Sequence, residues 1–335
     1  MQDISIHLYF VQAVLKHAEQ HGHDTDRLLR RSRISPRLLH EKQARVSAEQ
    51  YAKLQTVTMR EMGDEMLGYC ERPTKLGHWS ALCHWLIHCK TLGQVLKRYC
   101  MFYDIIEKNL QPKLLISGEL ATIEIDTWGE GQHTLEPYAF ELFLFSLHRI
   151  LCWFTQSNLP IEQVCFPYPE PQHSSEYRPM FPNTNIIFHA SSCRITFERK
   201  LLEKTVKQTA DKLADFLRKP LYNTLVNTYR SKSWTQRIKD VIGDDLSHLP
   251  TFSQIAEELE INTKHLRRLL NDEGLNYSEL KAQLRRDAAI YHLSQPKISI
   301  EEIAFKTGFS EASSFIRAFK SWTGVTPLTY RKDLS

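Results

Sequence analysis

Two stretches near the end of the chain read FSQIAEELEINTKHLRRLLNDEG (Phe252–Gly274) and SIEEIAFKTGFSEASSFIRAFKSWTG (Ser299–Gly324). They align as copies. Ile255-Ala256 answers Ile303-Ala304, Ile261 answers Phe309, Leu266 answers Phe315, Arg268 answers Arg317 and Leu270 answers Phe319. The spacing is 48 residues at the start and 49 at the end, so the second copy holds one extra residue in its turn. A repeat of this size is one supersecondary unit used twice. Each copy has helix-turn-helix grammar: a short helix with Ala at its crowded contact, a turn, a polar N-cap and a second helix. Gly308 suits a turn at φ > 0, while Glu260 stands at the matching place in the first copy. Asn262 and Ser310 read as the N-caps.

Charge divides between the helices of each copy. Glu257, Glu258, Glu260, Glu301 and Glu302 fall on the first helices and their turn, whereas Lys264, Arg267, Arg268, Arg317 and Lys320 fall on the second. A DNA-reading helix needs that division, because Arg and Lys serve phosphates and guanine edges while carboxylates must face away. One basic helix could equally be a solvated face. Two matched ones argue for nucleic acid. Between the copies, Tyr277–Leu293 (YSELKAQLRRDAAIYHL) reads as a helix with Leu280, Leu284 and Ala288 on one face, ending before Ser294-Gln295-Pro296. A rigid connector of that length would separate two recognition helices by about one duplex turn, roughly 34 Å.

Further toward the N-terminus the grammar changes. Residues 1–110 read mainly as helices, with stripes at Ile6, Phe10, Val14 and His17 and at Tyr51, Leu54 and Val57. Lys113–Ser117 and Ala121–Asp126 alternate at period two around Gly118, a hairpin pattern. Leu135–Phe154 is a long apolar helix. Val164–Tyr168, Asn185–His189 and Arg194–Phe197 are short strand candidates around a proline-rich loop, and Leu201–Leu217 and Leu221–Tyr229 read as helices divided at Pro220. The expected fold is therefore an α+β N-terminal domain with an antiparallel sheet, followed by an all-α domain of two helix-turn-helix units joined by a linker helix. The division expected is 1–220 for sensing and dimerisation, 221–250 as connection and 251–335 for DNA binding.

The close of the chain, GFSEASSFIRAFKSWTGVTPLTYRK (Gly308–Lys332), resembles the signature of the AraC/XylS family of bacterial transcription regulators along almost its whole length. LLRRSRISPRLL (28–39), LGHWSALCHWLIHCKTLGQVLKRY (76–99) and VCFPYPEPQHSSEYRPMFPNTNIIFHASSCRITFERKLL (164–202) are similar to the larger effector domain of one branch of that family, and not to the compact sugar-binding barrel of its best-known member. The resemblance implies a regulator of transcription whose N-terminal domain takes a small-molecule effector and can form a homodimer. It implies double-stranded promoter DNA and RNA polymerase as partners. By position it turns Lys264, Arg267 and Arg268 of the first recognition helix toward DNA, and Ala312, Ser313, Ile316, Arg317 and Lys320 of the second. Ala312 and Ile316 are poor hydrogen-bond donors, which suits thymine methyls or simple backbone contact.

Composition sets the outer bounds. The 335 residues are 42% hydrophobic and 24% charged, with a net charge of +4, the balance of a globular chain of about two domains. No apolar run approaches the ~18 residues of a membrane span. The first residues, MQDISIHLYF, lack a basic region and a small-residue cleavage site, so a cytoplasmic protein without membrane partners is expected. GxGxxG, GxxxxGK[ST], HExxH and GxSxG are all missing, and His133, Glu136 and Glu141 form no recognisable catalytic set, so no enzyme is expected. No cofactor or metal is expected either. The alternative input is metal or redox sensing at Cys83-His84-x3-His88-Cys89, where His84 and His88 would share one helical face. All seven cysteines precede residue 194, without CxxC spacing, which argues against a disulfide framework.

Overall fold

A computed structural model describes residues 4–106, 110–127, 135–226, 233–295 and 298–332. In chain order the strands are β1 Ser5–His7, β2 Arg45–Ser47, β3 Leu110–Ser117, β4 Leu120–Thr127, β5 Gln163–Cys165, β6 Asn185–Ile187 and β7 Cys193–Glu198. The helices before the repeat are α1 Leu8–Gln20, α2 Thr25–Arg31, α3 Ala48–Met62, α4 His78–Leu86, α5 Leu92–Ile106, α6 Pro137–Thr155, α7 Tyr177–Met180, α8 Ala210–Leu217, α9 Pro220–Val226 and α10 Trp234–Ile242. The repeat itself supplies α11 Phe252–Glu258, α12 Thr263–Asp272, α13 Tyr277–Leu293, α14 Ile300–Lys306, α15 Ala312–Thr323 and α16 Pro327–Lys332. By internal contacts the chain divides into one unit of residues 13–23 and 58–229 and another of residues 1–12, 24–57 and 230–335.

The first unit is built on a five-stranded sheet in the order β3-β4-β7-β5-β6. The hairpin expected from period-two alternation is β3–β4, with Ser117 opposite Leu120 and a two-residue turn at Gly118. Strand β7 pairs antiparallel with both β4 and β5. The sheet is not wholly antiparallel, because β5 and β6 run parallel with Val164 opposite Ile186. A parallel pair needs a long crossover, and the proline-rich segment with α7 supplies it. Helix α6 is apolar on nearly every side and sinks into the core with Tyr99, Ile123, Phe166, Tyr177 and Ile195.

One expected helix, Leu201–Leu217, forms only over its second half. Residues 201–209 continue from a short 3-10 turn (Arg199–Glu203) into extended chain that bridges Thr205 to Thr91, and the helix α8 begins only at its N-cap Thr209. The apolar stripe from Leu201 to Leu217 reads as one helix, yet Leu201, Val206 and Leu213 enter the core from three separate segments. The division expected at Pro220 is found: α8 ends at Leu217 and Pro220 opens α9, as its missing N–H permits at a first turn. His133 and residues 227–229 of the expected last helix lie outside the described residues.

The second unit carries the repeat. Ile238, Ile242, Leu246, Ile255, Ala256, Leu266, Leu270 and Leu280 close the first helix-turn-helix. The unit also holds two short strands. Ile6, expected on the helical stripe with Phe10, Val14 and His17, lies instead in β1, which pairs antiparallel with β2, Ile6 opposite Val46, and α1 begins only at Leu8. Ser5 donates to Asp287 of α13 at 2.5 Å, and Tyr330 of α16 donates to the backbone oxygen of Arg45 at 3.0 Å. The N-terminal ribbon is thus part of the unit that carries the repeat.

Candidate nucleic-acid interface

Each recognition helix is positioned by what lies beneath it. In α12, Asn262 caps the first turn by accepting from the Lys264 amide at 2.9 Å, while Leu266 and Leu270 are buried. Glu260 takes the left-handed turn with φ +53, the conformation that Gly308 takes at φ +77 in the second copy. At the far end of α12, Glu273 clamps the start of α10, accepting from the Trp234 amide at 2.7 Å and from the Thr235 amide at 2.9 Å. Lys264, Arg267 and Arg268 are left exposed on the outer side. The Arg267 guanidinium lies 5.8 Å from the centre of the Phe252 ring, which steadies a long side chain without neutralising it.

Helix α15 repeats the plan with aromatics. Phe315 and Phe319 are buried, and Phe319 meets the Tyr330 ring edge-on at 5.6 Å. Ser313, Ile316, Arg317 and Lys320 are exposed in an i, i+3, i+4, i+7 stripe beside half-buried Ala312. The N-cap expected at Ser310 is found one residue later. Glu311 is the extended residue before the helix, its side chain makes no capping bond, and one of its carboxylate oxygens accepts from the Ser313 hydroxyl at 3.2 Å. The extra residue of the second turn moves the helix start by that one position. Glu311 therefore joins the exposed face, a carboxylate that the motif alone did not mark; such a group can accept from cytosine N4.

The turn of the second copy is gripped from two sides. Arg285 of α13 donates to the Gly308 carbonyl at 3.1 Å and lies 5.0 Å from the centre of the Phe309 ring. A Cβ on Gly308 would come within 2.4 Å of the Leu246 carbonyl oxygen. Leu246 belongs to the core of the first copy, so the two copies touch at this glycine, and the linker helix ties both.

The alternative input site is not brought together. Cys83 and Cys89 are buried, whereas His84 and His88 are exposed and His88 lies beyond the end of α4. Burial pushes both thiols up, with Arg98 opposing part of the shift at Cys89. Among the described residues no three His, Cys, Asp or Glu side chains are placed to hold a metal ion. A different polar cluster lies in the sheet unit. Glu141 of α6 is 0% exposed and accepts from the Tyr177 hydroxyl, with His173 Nε2 at 2.8 Å, and Tyr168 and Tyr177 share a hydroxyl contact at 3.1 Å. A carboxylate inside a largely apolar helix was its only sequence signal.

Comparison with known proteins supports the helix-turn-helix domain and corrects one expectation, that the N-terminal part is unlike the sugar-binding domain of AraC. The model of the arabinose-binding N-terminal domain of the AraC transcription regulator matches residues 22–206, and a helix-turn-helix domain model matches residues 255–333. The chain belongs to the AraC family of transcription regulators. The ornithine utilization regulator of Pseudomonas aeruginosa is 22% identical to this AraC-family protein over 328 residues, 96% of this chain and 95% of its own. The Escherichia coli regulator GadX is 28% identical over 120 residues, 36% of this chain and 44% of its own. Among solved structures, the Pseudomonas aeruginosa regulator CdpR covers 76% of this chain and 81% of its own at 23% identity, with a TM-score of 0.31. This AraC-family regulator is a helix-turn-helix DNA-binding protein with an N-terminal domain of the effector-binding kind. No helix among its described residues is long and apolar enough to cross a membrane.

Proposed function

We propose that the protein binds promoter DNA with two recognition helices in successive major-groove segments. Lys264, Arg267 and Arg268 act from α12, and Ala312, Ser313, Ile316, Arg317 and Lys320 from α15. The supporting observation is the doubled architecture: the two copies bury equivalent side chains, Leu266/Leu270 and Phe315/Phe319, and each leaves basic residues exposed, with Arg268 and Arg317 at equivalent positions. Arg268 and Arg317 are the contacts expected to matter most, since guanidinium forks serve both phosphates and guanine edges. Ile316, 37% exposed, suits a thymine methyl.

On this reading residues 251–335 do the DNA work and residues 1–220 sense and dimerise, joined by 221–250. The protein is a cytoplasmic regulator rather than an enzyme, and RNA polymerase is its final partner. The effector is a small molecule held in the sheet domain, and it can switch the protein only by preferring one conformation over another. Amino acids are the first class to screen, given the name of the Pseudomonas aeruginosa relative. Genome-wide occupancy of the tagged protein, followed by binding of purified protein to the best site across a salt series, tests the core of this. Paired short motifs about one helical turn apart, with a steep salt slope, are expected. A folded protein with neither would overturn it.

A further inference from the structure

The net charge of this protein is concentrated in one place. Of its 43 Lys and Arg and 39 Asp and Glu, the segment Asp24–Arg45 holds seven and three, leaving 36 of each for the rest of the chain. The whole surplus of +4 thus falls in this one segment. The fold keeps that charge outside. Leu28, Leu29, Ile34 and Leu38 are buried, while Arg27, Arg30, Arg31, Arg33, Arg37 and Lys42 are all exposed. Only Arg45 turns inward, donating to the Ser5 hydroxyl at 2.7 Å and to the Ser5 carbonyl at 2.9 Å.

The segment is fastened to the unit that carries the recognition helices. Gln50 donates to the Arg33 carbonyl and its oxygen lies 3.4 Å from the Tyr330 hydroxyl, which also donates to the Arg45 carbonyl at 3.0 Å. Ser5, held by Arg45, donates in turn to Asp287 on the linker helix. Glu41 lies against the residue that ends α15: a Cβ on Gly324 would fall within 2.4 Å of its carboxylate. The basic segment is therefore fastened to β1, α3 and α16 by side-chain bonds, and through Ser5 to α13, and it meets the second recognition helix at the C-terminal end of α15, where Glu41 lies against Gly324.

We infer that residues 24–45 form a third DNA-contacting element, a basic ledge that binds the phosphate backbone flanking the segment read by α15. The chemistry is charge complementarity with a polyanion, and the attachment to the recognition unit selects duplex DNA as that polyanion. Fixed cations beside a specific contact lengthen the footprint and add to the counterions released on binding, without adding sequence choice. This inference rests on the DNA-binding reading of the two helices.

The test uses the full chain and a fluorescein-labelled duplex of arbitrary sequence, about 40 base pairs long, titrated across a salt series. The variant Arg30→Gln/Arg33→Gln/Lys42→Gln changes three exposed side chains, and circular dichroism and thermal melting check that it stays folded. Each lost phosphate contact lowers the slope of log K against log salt by about 0.9, so a fall of about 2–3 is expected. Arg268→Gln/Arg317→Gln is measured in parallel. If that variant loses slope and the ledge variant does not, the two-helix reading stands and the ledge is overturned; if neither does, the DNA-binding reading fails. A ledge variant with unchanged slope but lost binding to phosphatidylglycerol vesicles assigns the face to a lipid surface and likewise overturns the proposal.

Discussion

Arg268 and Arg317 occupy equivalent positions in the two copies, two residues after the first buried apolar contact of each recognition helix, and both are exposed. Arg268→Ala and Arg317→Ala are each expected to weaken binding to the preferred site by about 1–3 kcal/mol if they meet base edges, measured by fluorescence anisotropy. Unchanged affinity in a folded variant removes that arginine from the interface. Gly308 carries a different burden, since its φ of +77 and its approach to the Leu246 carbonyl both exclude a side chain. Gly308→Ala should cost about 1–3 kcal/mol of stability in thermal unfolding. In the sheet unit, burial holds the imidazole of His148 down to about 4, with Nε2 at 2.9 Å from the Leu159 carbonyl. The unfolded chain takes up a proton near pH 6.5 and the folded chain does not until about pH 4. Stability is therefore complete above pH 6.5 and falls as pH drops toward 4, by on the order of 3 kcal/mol from this group. His148→Gln should flatten that part of the pH–stability profile.

At the scale of elements, α12 is held less by its own propensity than by its two ends and its buried leucines. Glu273 satisfies two amides and a hydroxyl at the start of α10, bonds that join the recognition helix to the helix behind it. Glu273→Ala leaves those donors to water and is expected to cost about 1–3 kcal/mol, read as a lower melting temperature and faster amide exchange in α10. The helix boundaries here were legible because the caps are local. Asn262 caps α12 where the sequence pattern places it, and α13 spans Tyr277–Leu293 as its pattern reads. Ser310 misled because the one-residue insertion lengthens the turn, and Glu311, a poor capping residue, ended in the capping position. Leu201–Thr209 misled for the opposite reason. Its apolar spacing fits a helix, but backbone bonding of Val206 to Lys90 and of Lys207 to Phe154 holds it extended.

For the whole molecule, the division by contacts is not the division by sequence order. Residues 1–12 and 24–57 belong with residues 230–335, while residues 13–23 belong with the sheet unit. A fragment of residues 220–335 keeps both recognition helices and should still bind DNA. It lacks the β1–β2 ribbon, the partner of Asp287 and the acceptor of the Tyr330 hydroxyl, so hydrogen exchange in α13 and α16 should be faster in the fragment than in the full chain. Equal exchange rates would mean that the N-terminal segments contribute nothing to the stability of that unit.

The amino-acid sequence determined by itself the repeat, the linker helix, the buried pairs Leu266/Leu270 and Phe315/Phe319, and the exposed basic stripes. These follow from helical periodicity and from caps only a few residues away, which need no knowledge of the rest of the chain. Only the tertiary structure decided that Cys83 and Cys89 turn into a core away from His84 and His88. Only it decided that Glu41 reaches Gly324 and that Ser5 reaches Asp287, 282 positions along the chain. Strands of three residues have no periodicity to read, and contacts between such distant segments exist only after the chain has closed on itself.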